Sequence, residues 1–131
     1  KGVDLMNNNN CLANILRVIE TLQNNIERLD NINNSCTKPF LGLNVQEPFN
    51  TRLVTLYRCN NEPITLSYIS NNETLTTSIF RIERVSNNSV TVLLLVDNGD
   101  GTYSTTNTYG TINLNCVCAI QCLGDTTIEN I

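Results

Sequence analysis

Three amide pairs, Asn60-Asn61, Asn71-Asn72 and Asn87-Asn88, cut the chain beyond its first third into short β-prone runs and restrict it to folds built from brief antiparallel strands. Asn tolerates left-handed backbone and bonds to its own main chain, so a pair between two such runs predicts a tight turn. The resulting strands are expected over residues 39–45, 52–59, 63–69, 74–85, 89–97, 102–110 and 111–121. Between two of them, Asp97-Asn98-Gly99-Asp100-Gly101 is a strong hairpin signal, because Asn-Gly and Asp-Gly accept positive φ. Seven strands in about ninety residues predict a mainly β fold, a single antiparallel β-sandwich or barrel.

The first third reads differently. Leu12, Ile15, Leu16, Ile19, Leu22, Ile26 and Leu29 recur at the spacing of one helical face, while Arg17, Glu20, Asn24, Glu27 and Arg28 fall elsewhere. This predicts one N-terminal amphipathic α-helix from Cys11 to about Asp30, roughly 30 Å long. Asn10 serves as its N-cap, and residues 1–10, ending in four Asn, form a flexible N-terminal arm. Residues 11–131 make one helix-plus-β domain.

Two strands predict where the core lies. In Ile79–Val85, Phe80 and Ile82 point one way, while Arg81 and Glu83 point to a wet face. In Val90–Val96 both parities are apolar, so this strand is covered on both sides, with the amphipathic helix as the first candidate cover and a neighbouring subunit as the second.

Composition removes whole classes of function. The chain of 131 residues has net charge −4, no His and no Trp, and its eight Lys and Arg form no cluster. Nucleic-acid binding is not expected, and the commonest general base and zinc nitrogen ligand are missing. Asn supplies roughly one residue in six, so the surface is solvated by neutral amides that stack with little electrostatic repulsion. The longest apolar run, Val90 to Val96, is interrupted by Thr91 and is far short of a membrane helix. No signal peptide is visible, although the chain starts at Lys1.

Six cysteines are the chemically distinctive residues: Cys11, Cys36 and Cys59 upstream, and Cys116, Cys118 and Cys122 within seven residues of the tail. If the tail is extended, Ile112, Leu114, Cys116, Cys118, Ile120 and Cys122 share one face. Cysteines two apart on a strand lie at or beyond bridging distance with parallel Cβ vectors, so the tail thiols need partners elsewhere. As a zinc site the tail lacks paired Cys-x-x-Cys knuckles, and as catalytic thiols its cysteines lack a His. As disulfide candidates the six allow fifteen full pairings, reduced to six when pairs within the tail are forbidden. The bonds close either within the subunit or to a neighbour.

The remaining motifs carry no chemistry. In the calcium-loop register of Asp97–Gly101, Val96 would stand at the first ligand position and Asn107 at the bidentate acidic one, which excludes an EF-hand. Asn33, Asn72 and Asn87 fall in Asn-x-Ser/Thr sequons that a chain of this composition produces by chance. No carboxylate pair or Gly-rich phosphate loop stands out. No catalytic, cofactor-binding or metal-binding residues, and no cofactor, are expected.

The ending Leu114-Asn115-Cys116-Val117-Cys118-Ala119-Ile120-Gln121-Cys122-Leu123, with Asp125 and a Thr/Ile tail, resembles that of the CotY/CotZ/ExsY family of spore coat and exosporium proteins. Cys11–Ile19 with Leu22-Gln23, Cys36–Gly42, Ser78–Glu83 and Asn50-Thr51-Arg52 match in order, so the resemblance covers the chain from Cys11 onward. It implies a non-enzymatic structural protein, made in the mother-cell cytoplasm and deposited on the spore surface, in the outer coat, crust or exosporium. It further implies self-assembly into a disulfide-stabilised two-dimensional lattice of ring-like oligomers, hexameric order being one form. The implied partners are copies of itself and other spore coat or exosporium proteins, with no nucleic acid and no membrane. Family members carry a Cys- and His-rich leader that the residues before Cys11 lack, which favours internal staples over cross-links. A filamentous spore appendage subunit that reaches its neighbour through the arm 1–10 and a monomeric disulfide-stapled binding module are the alternatives. A hydrolase would require a deep cleft holding two carboxylates.

Overall fold

A computed structural model describes residues 2–24 and 49–131, with side chains from Leu12 onward. Helix α1 spans Gly2–Asn24. It is followed by strands β1 (Thr51–Tyr57), β2 (Leu66–Ser70), β3 (Glu73–Thr77), β4 (Phe80–Val85), β5 (Ser89–Asp97), β6 (Tyr103–Asn113) and β7 (Ala119–Thr126), with a 3-10 turn at Leu114–Cys116. The protein is mainly β, with antiparallel sheets in a sandwich-like arrangement and an N-terminal helix. Five strands form one sheet in the order β6-β5-β4-β1-β7, and β2 and β3 form a separate hairpin. Among the described residues the larger sheet does not close: β6 and β7 are its two edges.

Helix α1 starts earlier than Cys11, and the Asn7–Asn10 run lies inside it. Asn disfavours helix by less than about 0.7 kcal/mol per residue, far less than Pro, so a run of four does not stop one. The expected strand 39–45 and the helix residues beyond Asn24 lie outside the described residues.

One face of the sheet carries the main core. Ala13, Leu16 and Ile19 of α1 pack with Val54 and Leu56 of β1, Phe80 and Ile82 of β4, and Val90, Val92 and Leu94 of β5. Burial of such side chains contributes about 1.5–3 kcal/mol each, which makes this contact the main reason the helix forms. The β2–β3 hairpin turns at Asn71 and Asn72, both at positive φ (53° and 65°), as a two-residue primed turn requires. Leu66 of this hairpin lies over Gly110 of β6, where a Cβ would come within 2.5 Å of Leu66 Cδ1.

The opposite face is also buried. Leu93 and Leu95 of β5 join Leu53, Ile79, Tyr103 and Ile128. The second cover of β5 is therefore the chain's own C-terminal segment, not a neighbouring subunit. Asn50 fastens that segment: its side-chain amide donates to Ile128 O and its Oδ1 accepts from Ile128 N, each at 3.0 Å. This closure corrects the expectation of a wet face on β4. Arg81 is 7 % exposed, with Nε donating to Thr51 Oγ1 at 2.9 Å, NH2 donating to Asn50 O at 3.2 Å, and NH1 paired with Glu83. Polar alternation marked the second layer here, and the burial rests on hydrogen bonds that period alone does not disclose.

The run 74–85, expected as one strand, is two, because Ser78 and Ile79 carry the chain from the hairpin into the larger sheet. Strand β6 continues past residue 110 to Asn113 and contains a bulge, since Leu93 pairs with Tyr109 but Leu95 pairs with Thr105. Asn107, at φ 59°, takes up the extra length.

Candidate cross-linking site

The site is built where β1 ends and β7 begins. After Tyr57 the chain turns, with Arg58 N donating to Glu62 O at 2.9 Å and Asn61 N donating to Arg58 O at 3.0 Å. Asn61 supplies the left-handed residue at φ 70°, as its amide pair predicts. This turn presents Cys59. On the facing strand Tyr57 pairs with Ala119, and Cys118 N donates to Tyr57 O at 2.8 Å, which draws Cys118 beside the turn. Cys59 and Cys118 form a disulfide with Cα atoms 4.9 Å apart, within the range a bridge requires. Both cysteines are exposed.

The tail does not follow the single extended parity expected of it. Leu114 N donates to Asn88 O at 2.7 Å, Asn113 Oδ1 accepts from Asn115 N at 2.8 Å, and Val117 N donates to Leu114 O at 3.2 Å, closing a 3-10 turn. The turn shifts the phase of the side chains by one. Leu114 and Val117 point into the core, while Asn115, Cys116 and Cys118 point outward. Ile120 and Cys122 return to the core side, packing against the main cluster. Cys116 is a free, exposed thiol, Cys118 bridges to Cys59, and Cys122 is disulfide-bonded as well. The side chain of Cys11, and Cys36 entirely, lie outside the described residues. The signal for the phase shift was the Asn113-Leu114-Asn115 spacing, since Asn at the first position caps a short turn.

Two polar constellations that residue spacing does not announce tie β1 to β7, one towards each end of the pair. Arg52 and Asp125, opposite one another on β1 and β7, form a two-pronged pair, Nε to Oδ1 at 2.7 Å and NH2 to Oδ2 at 3.0 Å, with side chains 4 % and 2 % exposed. Tyr57 Oη donates to Gln121 Oε1 at 2.8 Å towards the other end of the β1–β7 ladder, beside the Cys59 turn. Only the topology, which puts residue 52 beside 125, makes these visible.

Elsewhere, Asp100 in the β5–β6 turn accepts from Thr102 Oγ1 at 2.6 Å and from Thr102 N at 3.0 Å. These bonds, the side-chain one foremost, hold its carboxyl below the usual carboxylate range. A cavity of about 440 Å³ beside that turn is lined by neutral Asn, Ser and Thr side chains with Tyr103, and by a single carboxylate, Glu129. No cluster of metal-ligating side chains occurs among the described residues. No described helix is long and apolar enough to cross a membrane.

No curated protein and no solved structure matches the chain. A family model described as spore coat protein Z matches residues 3–110, which takes in α1 and the strands β1 to β5 and stops short of the cysteine tail. The chain belongs to this family of spore coat proteins, which gives it a structural role in the coat and places it at the spore surface.

Proposed function

We propose that the chain is a non-enzymatic subunit that assembles with copies of itself into ring-like oligomers and an extended two-dimensional lattice in the outer coat, crust or exosporium, with other coat proteins as neighbours. One observation carries this reading. Both edges of the five-stranded sheet pair on one side only among the described residues, and each bears an exposed apolar side chain, Tyr109 on β6 at 60 % and Leu123 on β7 at 43 %. Exposed edges with apolar residues and few charges are what soluble monomers avoid. Contact between β6 of one copy and β7 of the next is heterologous, so it closes into a ring or propagates. The β2–β3 hairpin, with Ile69 at 74 % exposure, offers a second contact through which rings would join.

Sedimentation velocity over a range of concentrations tests this. The wild-type chain is expected to grow with concentration, and Tyr109→Lys or Leu123→Lys to hold it at low mass, because an edge lysine opposes pairing. Wild-type protein that sediments as a monomer throughout contradicts the reading.

A further inference from the structure

The cysteine tail places a nucleophile and its reaction partner side by side. Cys116 is a free exposed thiol, and Cys118, two residues on, belongs to an exposed disulfide. Val117 between them is 4 % exposed, with an extended backbone (φ −110°, ψ 124°), so its neighbours both face outward. Two residues of extended chain separate their Cα atoms by about 6.5–7 Å, too far for Cys116 to bridge Cys118 without distorting the backbone. The backbone is pinned on both sides, by Val117 N on Leu114 O and by Cys118 N on Tyr57 O. The thiol and the disulfide thus share one outward patch, a Cys116–Cys118 bond is excluded within the chain, and a second copy that meets this patch presents its own disulfide to Cys116.

We propose that Cys116 and the Cys59–Cys118 disulfide form a thiol–disulfide exchange relay that cross-links neighbouring chains without an added oxidant. The proposal rests on the self-assembly reading above. The Cys116 thiolate of one chain attacks the Cys59–Cys118 bond of its neighbour. The neighbour's S–S bond breaks, an S–S bond forms between the chains, and the electron pair leaves on the departing sulfur, which takes up the proton Cys116 lost. Nothing is oxidised or reduced overall. The neighbour keeps its own Cys116 and gains one more thiol, so the reaction passes on. In dilute solution the internal bridge wins because its partner is always near. In an assembly the neighbour's effective concentration reaches the millimolar range, and the exchange becomes competitive.

The test is assembly in anaerobic, chelator-treated buffer, followed by non-reducing electrophoresis, a thiol titration and peptide mapping. The expected result is a covalent ladder that grows faster as pH rises, because thiolate is the nucleophile, at a constant thiol titre. Mapping is expected to join Cys116 of one chain to Cys59 or Cys118 of another, and Cys116→Ser to abolish the ladder while particles still form by negative-stain microscopy. A ladder that needs air, consumes two thiols per bond and joins Cys116 to Cys116 overturns the relay, as does an undiminished ladder in Cys116→Ser. Particles without any covalent ladder also overturn it while leaving assembly standing, whereas an absence of particles defeats the assembly reading itself.

Discussion

The Gln23 carboxamide stands between two strands at the positions where they would bond to each other, accepting from Arg52 N at 3.0 Å and donating to Ile82 O at 2.8 Å. Val54 pairs with Phe80, so Arg52 and Ile82 are opposed two positions further along, yet no ladder pair forms there. One helix residue completes the ladder between β1 and β4 and ties α1 to the sheet by direction as well as by apolar area. Gln23→Met keeps the volume and strands two buried backbone groups, each costing about 1–3 kcal/mol. The expected loss is about 2–4 kcal/mol in denaturant unfolding, with an unchanged m-value; a loss under about 0.5 kcal/mol would refute the bridge.

The Arg52–Asp125 pair is buried on both sides, and its removal is expected to be asymmetric. Arg52→Met leaves a buried carboxylate without its guanidinium and is expected to cost about 3–5 kcal/mol, whereas Arg52→Met with Asp125→Leu recovers most of it. Thermal unfolding of the two variants decides the matter. Equal losses in the single and double variants would show that the charge itself is unimportant.

Much of this was legible in the sequence, and the reasons are local. The amide pairs announced their turns because Asn61, Asn71 and Asn72 do occupy left-handed backbone. The apolar parity of β5 announced burial on both sides, and the three-residue spacing of Leu16, Ile19 and Leu22 announced the helix face. Long-range polar closure was not legible. Arg81, Arg52 and Gln23 look like surface residues in a one-dimensional pattern, and become buried only because the topology brings Thr51, Asp125 and Ile82 to them. At the cysteine tail, three residues of 3-10 turn were enough to shift the side-chain phase and send Cys116 outward.

Gly110 is small because Leu66 occupies the space its side chain would need. The clashing atom is the end of a flexible side chain, so Gly110→Ala is expected to cost about 1–2 kcal/mol through a displaced Leu66, in the range for overpacking. Leu66→Ala frees the site, and a double-mutant cycle is expected to show a favourable coupling of about 0.5–1.5 kcal/mol. Additive effects would mean that the two positions do not meet.

The Cys59–Cys118 bridge joins residues 59 apart. By the chain-entropy account such a loop is worth about 4 kcal/mol. Replacing both with Ala is expected to lower stability by an amount in that range while leaving the circular dichroism of the sheet intact at room temperature. A change near zero would show that the unfolded chain gains nothing from being released.

The Asp100 carboxyl, held down by the Thr102 hydroxyl and N–H, stabilises its turn above the ordinary carboxylate pKa, and the contact is lost as pH falls through the depressed value. Thr102→Val removes the larger of the two influences, so the Asp100 titration followed by NMR is expected to move upward. A titration that stays in place would assign the effect to the backbone bond alone.

The proposed assembly of the coat layer depends on contact between copies of this chain. Negative-stain microscopy of the purified chain, concentrated in reducing buffer so that covalent bonds play no part, tests it most directly. Rings or sheets whose images give discrete lattice spots are expected, as is their loss in Tyr109→Lys. Uniform single subunits at every concentration would contradict it.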